Sequence, residues 1–214
     1  MKIRMLSLAA ALVAAGSASA STVRMDISGS ITPAPCTVSL SNGGSVSFGD
    51  LRAESLKADA ATALDAKTVT VSVACNAATA YGLQISDDRA SSVATGVAAT
   101  AKAGASDAQA FGLGMSGAQA IGAYVVSLSD GVADGTPTTF IGSADNGATW
   151  NAASVLAPNG DTVAWRSAAG ATPVQAASSS ALLTINAAVV GTDRLDLSEA
   201  VDLDGSAVIE LLYL

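Results

Sequence analysis

Cys36 and Cys75 are the side chains whose type and spacing most directly invite chemistry, and the chain holds no third cysteine and no histidine. A metal site built on them would lack ligands. In an oxidising compartment a lone pair of cysteines reads as a disulfide. The ring it closes, about 40 residues, is worth roughly 4 kcal/mol in the chain-entropy model. Without histidine, a Ser-His-Asp or Cys-His arrangement is excluded. No Gly-x-Ser-x-Gly turn occurs, and no lysine stands three residues after a serine. Asp87-Asp88 is the obvious carboxylate pair for glycosidase chemistry. Neighbours on a strand point to opposite faces, however, and on a turn both would sit in solvent. Asp202-Leu-Asp204-Gly205, Asp193 with Asp196, and Asp145-Asn146 offer oxygen ligands for calcium. None follows the twelve-residue loop with its closing glutamate, so they read as caps of turns beside strands. Trp150 and Trp165 could stack a sugar ring; the competing reading is two core tryptophans. The chain is therefore expected to be no enzyme and to carry no cofactor or metal.

The compartment is suggested by the N-terminus. Lys2 and Arg4, the apolar stretch Met5 to Ala15 and the small residues Ala18-Ser19-Ala20 form a signal-peptide pattern over 1–20. The apolar run is too short to span a bilayer, which takes about 20 residues, and no later run is long enough, so no membrane insertion is expected. Cleavage after Ala20 leaves 194 of 214 residues; an earlier site, after Ala15, would lengthen the N-terminal arm. It also removes two of the 10 basic residues against 18 acidic ones, for a net charge near −10. So acidic a chain, with no basic cluster, is a poor partner for nucleic acid or anionic membranes. Half the residues are apolar, mostly Ala and Val, and only 4% are aromatic. That composition suits short strands and small-residue loops rather than disorder.

The elements that would position these groups read as strands. Residues 23–31 alternate, with Val23, Met25, Ile27, Gly29 and Ile31 on one face, until Pro33 and Pro35 break the ladder. Residues 36–40 form a short strand, 41–44 a turn, and 45–48 a possible hairpin return. Residues 51–66 read as a helical turn or a loop. Residues 67–75 are the clearest strand, with Val69, Val71, Val73 and Cys75 on one face, and 81–86 a further one. Residues 87–107 read as a long surface loop. Strands over 110–115 and 122–128 follow, the second apolar on both faces and so buried on both. Residues 130–160 are turn-rich, and strands over 161–165, 181–190 and 205–214 complete the chain. Roughly nine to eleven strands and no long helix predict an all-β sandwich. The last segment stays apolar to its end, Ala207, Ile209, Leu211 and Tyr213 sharing a face. An apolar terminus needs a cover, which a last core strand would have in the core and an offered strand in another protein.

The signal peptide, the alternating arm, Pro33-Ala-Pro-Cys36, a second cysteine about 40 residues on and penultimate Tyr213 resemble a chaperone–usher pilus (fimbrial) subunit. Gly29-Ser-Ile-Thr-Pro-Ala-Pro-Cys-Thr-Val-Ser-Leu-Ser-Asn-Gly-Gly44 is more closely similar to secreted bacterial fimbrial-like proteins of uncharacterised function. Asp87-Asp-Arg-Ala-Ser-Ser92 and Asp202-Leu-Asp-Gly205 are similar to them as well. The resemblance implies an immunoglobulin-like (pilin-type) β-sandwich over 32–214 that lacks or shares its last strand. It implies a Cys36–Cys75 disulfide between early strands, and an N-terminal arm, 21–31, that donates Val23, Met25 and Ile27 to a neighbour. Ala207, Ile209, Leu211 and Tyr213 would line the groove, and the Leu214 carboxylate would meet chaperone cations. The implied partners are a periplasmic chaperone, an outer-membrane usher and neighbouring pilus subunits, and the implied destination is the cell surface or the medium. Two features depart from a simple rod subunit: extra length in 87–108 and 130–160, and a short arm. The alternative is a self-contained secreted sandwich that binds a glycan or surface partner.

Overall fold

Antiparallel pairing dominates the chain. The computed structural model describes residues 23–29 and 35–214; the signal-peptide reading of 1–20 lies outside them. Among the described residues, seven strands have five residues or more: β1 (Cys36–Leu40), β2 (Lys67–Asp87), β3 (Gly122–Ala133), β4 (Thr136–Ser143), β5 (Thr162–Arg166), β6 (Gln175–Val189) and β7 (Ala207–Tyr213). Six further strands have two residues each. The α-helix among the described residues is a single turn, α1 (Ala98–Ala101). The fold is all-β, as the composition predicts.

Strand β2 organises it. Its first half lies between β1 and β6, its second half between β7 and β5. β5 pairs with β4, β4 with β3, and β3 with β6, so the pairing returns to β2 and closes a barrel-like ring. β1 and β7 are appended to the outer side of β2, one after the other. The sequence splits β2 into two strands, 67–75 and 81–86. It runs unbroken because β6 follows it through the intervening stretch, pairing Ala74 with Ser178 and Thr79 with Ala176 across a bulge.

The core fills the ring. Val69, Val71 and Val73 are at most 5% exposed, as their alternation predicts. Tyr81, Leu83 and Ile85 continue that face into the second half of β2. Trp165 is buried, its ring edge-on to Tyr81 at 5.8 Å and its indole N–H donating to the Ser180 carbonyl at 2.9 Å. The Tyr81 hydroxyl donates to Ser179 Oγ at 2.7 Å, and burial pushes its phenol pKa upward.

A second cluster covers the outer face of β3. Ala94, Val97, Ala98 and Ala110 pack on Ala123, Val125, Ala188 and Val190. β3 is thus buried on both faces, as expected. The expectation of a surface loop over 87–107 holds in part: Ala90, Ser91, Thr95 and Gly96 are exposed, while Ala94, Val97 and Ala98 form a lid, with α1 resting on the sheet. Its small side chains let the backbone come close, which a loop meant for solvent would not need. Residues 45–48 form no strand, so the expected hairpin return is absent; they run past the sheet instead of pairing with it. Residues 23–29 are likewise in no strand, and Val23, Met25 and Ile27 are 96%, 80% and 89% exposed. An extended ribbon without a partner edge leaves its backbone to water. Pro33–Leu214 is one compact unit.

Candidate functional site

The candidate site starts from the unpaired edge of β7. Beyond each end of its paired stretch, Ser206 O accepts from Asp88 N at 3.0 Å and Leu214 N donates to Ala80 O at 3.1 Å. In an antiparallel ladder, bonded and non-bonded pairs alternate. Even-numbered residues therefore bond to β2, and the N–H and C=O of Ala207, Ile209, Leu211 and Tyr213 point the other way. Among the described residues no strand pairs with that side of β7.

Beside the edge lies a cleft of about 300 Å³. Leu40, Gly44, Val46 and Phe48 form one wall, and Leu203, Gly205, Ser206, Ala207 and Ile209 form the other. Val69, Ile85, Leu113, Tyr124, Val126 and Ile185 form its floor. These floor residues belong to the main core and are at most 8% exposed, so the cleft bottoms on the core. A wider cleft of about 840 Å³ adjoins it, sharing Val46, Phe48 and Leu203.

The structure brings part of the expected groove strand together. Ala207 and Ile209 line the cleft, and Ile209 and Leu211 pack half-buried against the core. Tyr213 is 44% exposed and its hydroxyl accepts from the Cys36 amide at 2.9 Å. Leu214 is 48% exposed. Val23, Met25 and Ile27 stand exposed in no strand. Sequence reasoning missed the opposite wall: the Val46–Phe48 alternation was legible, but it suggested a hairpin rather than a bare cleft wall.

Cys36 and Cys75 are bonded, and they stand directly opposite in the β1–β2 register. The bridge staples the first strand to the organising strand, and it suits an oxidising compartment such as the periplasm or the cell exterior. No helix among the described residues is long and apolar enough to cross a membrane.

Asp87, Asp88, Asp145, Asp196 and Asp204 serve as hydrogen-bond acceptors. Asp87 takes the Arg89 and Gly112 amides, each at 2.8 Å. Asp88 accepts from Ser206 Oγ at 2.8 Å, and Asp204 takes two bonds from Arg89. Asp145 accepts from the Thr149 hydroxyl and amide and from Ser143, which holds its carboxyl pKa down at about 2. The Ser198 hydroxyl and amide lower Asp196 in the same way. Among the described residues no three acids, cysteines or histidines gather as a metal would require. Tyr124, on the cleft floor, has its phenol pKa raised by burial first and then by Asp87 and Asp88.

Two comparisons with known proteins bear on this chain. A family model described as a protein of unknown function (DUF1120) matches residues 25–125. That span holds both cysteines, all of β2 and the Ala94–Ala98 lid, and it ends before β7. The chain is 24% identical over 246 residues to the uncharacterized protein YhcF of Escherichia coli (strain K12), covering 99% of each protein.

Proposed function

We propose that this chain is a structural and adhesive subunit of a surface fimbria, completed by a strand lent from outside its own sheet. The observation that carries the reading is the coincidence of an unpaired β7 edge with an apolar-lined cleft beside it whose floor is the core. An exposed edge of this kind is a template for another strand, and proteins that do not use one blunt it. In strand addition the backbone bonds hold the guest while alternate side chains enter pockets.

In this reading the ring is an immunoglobulin-like sandwich that lacks its last strand. β1, the first half of β2, β6 and much of β3 make one layer; the second half of β2, β7, β5 and β4 make the other. The missing strand would lie between the 44–48 wall and β7. A periplasmic chaperone would occupy it first, an usher would direct the exchange, and the arm of a neighbouring subunit would replace the chaperone. The described arm, 23–29, has as many residues as the seven of β7. Burying Val23, Met25 and Ile27 would contribute about 1.5–3 kcal/mol each, against the entropy of ordering the arm.

The glycan-binding alternative has to rest on Trp150, which is half-buried, rather than on Trp165. Trp165 is 2% exposed and presents no ring face to a sugar.

The test is removal of Ser21 to Met25 from the mature chain. Near-UV circular dichroism is expected to report an intact fold, while multimers that survive detergent without heating disappear. Unchanged multimers would strip the arm of its donor role. An unfolded monomer would make the arm this domain's own strand.

A further inference from the structure

Two motifs that lie far apart in the sequence meet at the cleft entrance. Asp87-Asp88-Arg89 closes β2, and Asp204-Gly205-Ser206 leads into β7. Arg89 Nε donates to Asp204 Oδ2 at 2.9 Å and Arg89 Nη2 to Asp204 Oδ1 at 3.1 Å, a paired geometry that fixes both direction and distance. Ser206 Oγ donates to Asp88, and the Asp88 amide donates to Ser206 O. The Asp204 amide donates to Leu113 O at 2.9 Å. Asp87 holds the Gly112 amide, and buried Ser92 accepts from the Gly114 amide at 3.0 Å while donating to Arg89 O at 2.8 Å.

Three backbone segments are thus drawn together, and glycines let them touch. A Cβ on Gly112 would overlap Arg89 O and Ser92 Oγ, and one on Gly205 would stand 3.0 Å from the Tyr124 ring. Leu203, Gly205, Ser206 and Ala207, the residues the latch holds, line the cleft. The latch therefore fixes one wall of the site and the first residues of the unpaired edge.

We infer that Arg89 is a positioning residue for strand capture: by clamping Asp204 it orders the cleft entrance before a strand arrives. This rests on the strand-accepting reading above. A site ordered in advance spares the incoming strand the entropy of ordering it. Arg89 and Asp204 are 41% and 62% exposed, so salt screens their attraction. The bond to Asp204 first, and then the Asp88 and Asp87 carboxylates, raise the Arg89 pKa above its usual value.

The test uses the full chain with its disulfide intact and a fluorescent peptide of residues 21–30. Arg89→Ala is expected to weaken peptide binding about tenfold, to speed hydrogen exchange at the Asp204 amide, and to leave the unfolding midpoint nearly unchanged. Arg89→Lys should recover part of the affinity. Raising salt should weaken the wild type more than Arg89→Ala, which a purely packing role would not produce. Asp204→Asn, nearly isosteric, reads the same contact should Arg89→Ala lower the midpoint. Equal affinity in the wild type and both variants would overturn the proposal. If the wild type binds no peptide, the strand-accepting reading fails and the capture role falls with it. Exchange at Asp204 then decides the latch alone: faster exchange in Arg89→Ala supports it, and unchanged exchange removes it.

Discussion

Asp145 shows how much one side chain can be asked to do. Three hydrogen bonds from Thr149 and Ser143 hold its pKa at about 2, below the usual 3.8. A carboxyl whose folded pKa is depressed stabilises the fold above its unfolded pKa and loses that contribution as pH falls through the folded one. Carboxyl NMR titration should therefore place the Asp145 midpoint near pH 2, with the 143–149 turn loosening between about pH 4 and pH 2; a midpoint near 3.8 would refute the hydrogen-bonded geometry. The disulfide makes a larger claim. Cys36→Ser with Cys75→Ser should lower unfolding free energy by roughly 4 kcal/mol in urea titrations. Sequence made this pair legible because nothing else in the chain could use two cysteines. It left the acids ambiguous, because a turn cap and a metal ligand use the same oxygens and only the partners separate them. The Arg89–Asp204 latch was hidden for a further reason: its partners are 115 residues apart.

At the scale of elements, period-two alternation located β2 and β7, because each has one face on the core. The sequence leaves 76–80 between two strands, yet β2 runs through them, with Thr79 and Ala80 paired to Ala176 and Gln175 of β6. The lid was missed although its signal is present: Val93, Ala94, Val97, Ala98 and Ala101 recur at helical spacing, and all of them belong to the second cluster. Alanine-rich composition hid a stripe of small core residues. Two substitutions test the element packing. Trp165→Ala should cost about 3–5 kcal/mol of stability, read by chemical unfolding; a loss below 1 kcal/mol would mean that the ring interior is loosely filled. Gly112→Ala should cost about 1–3 kcal/mol, because the added methyl meets Arg89 O and Ser92 Oγ. In the same assay, a neutral result would show that the 87–92 turn can retreat.

For the whole molecule, the strand content, with no long helix among the described residues, could be read from composition, and the closed ring could not. Closure depends on β2 and β3 each serving two sets of neighbours, and one-dimensional alternation carries no record of which edge meets which. The open edge follows the same logic: Ala207, Ile209, Leu211 and Tyr213 look like an ordinary core strand until their outward N–H and C=O groups are found without a strand beside them. On the proposed reading, the molecule is a sheet awaiting one more strand. The most direct measurement is the unfolding midpoint of residues 27–214, disulfide intact, with and without a peptide of residues 21–30. A large, nearly irreversible rise with peptide is expected, because the guest completes the core. A high midpoint that the peptide leaves unchanged would contradict it and mean a sandwich that is already closed.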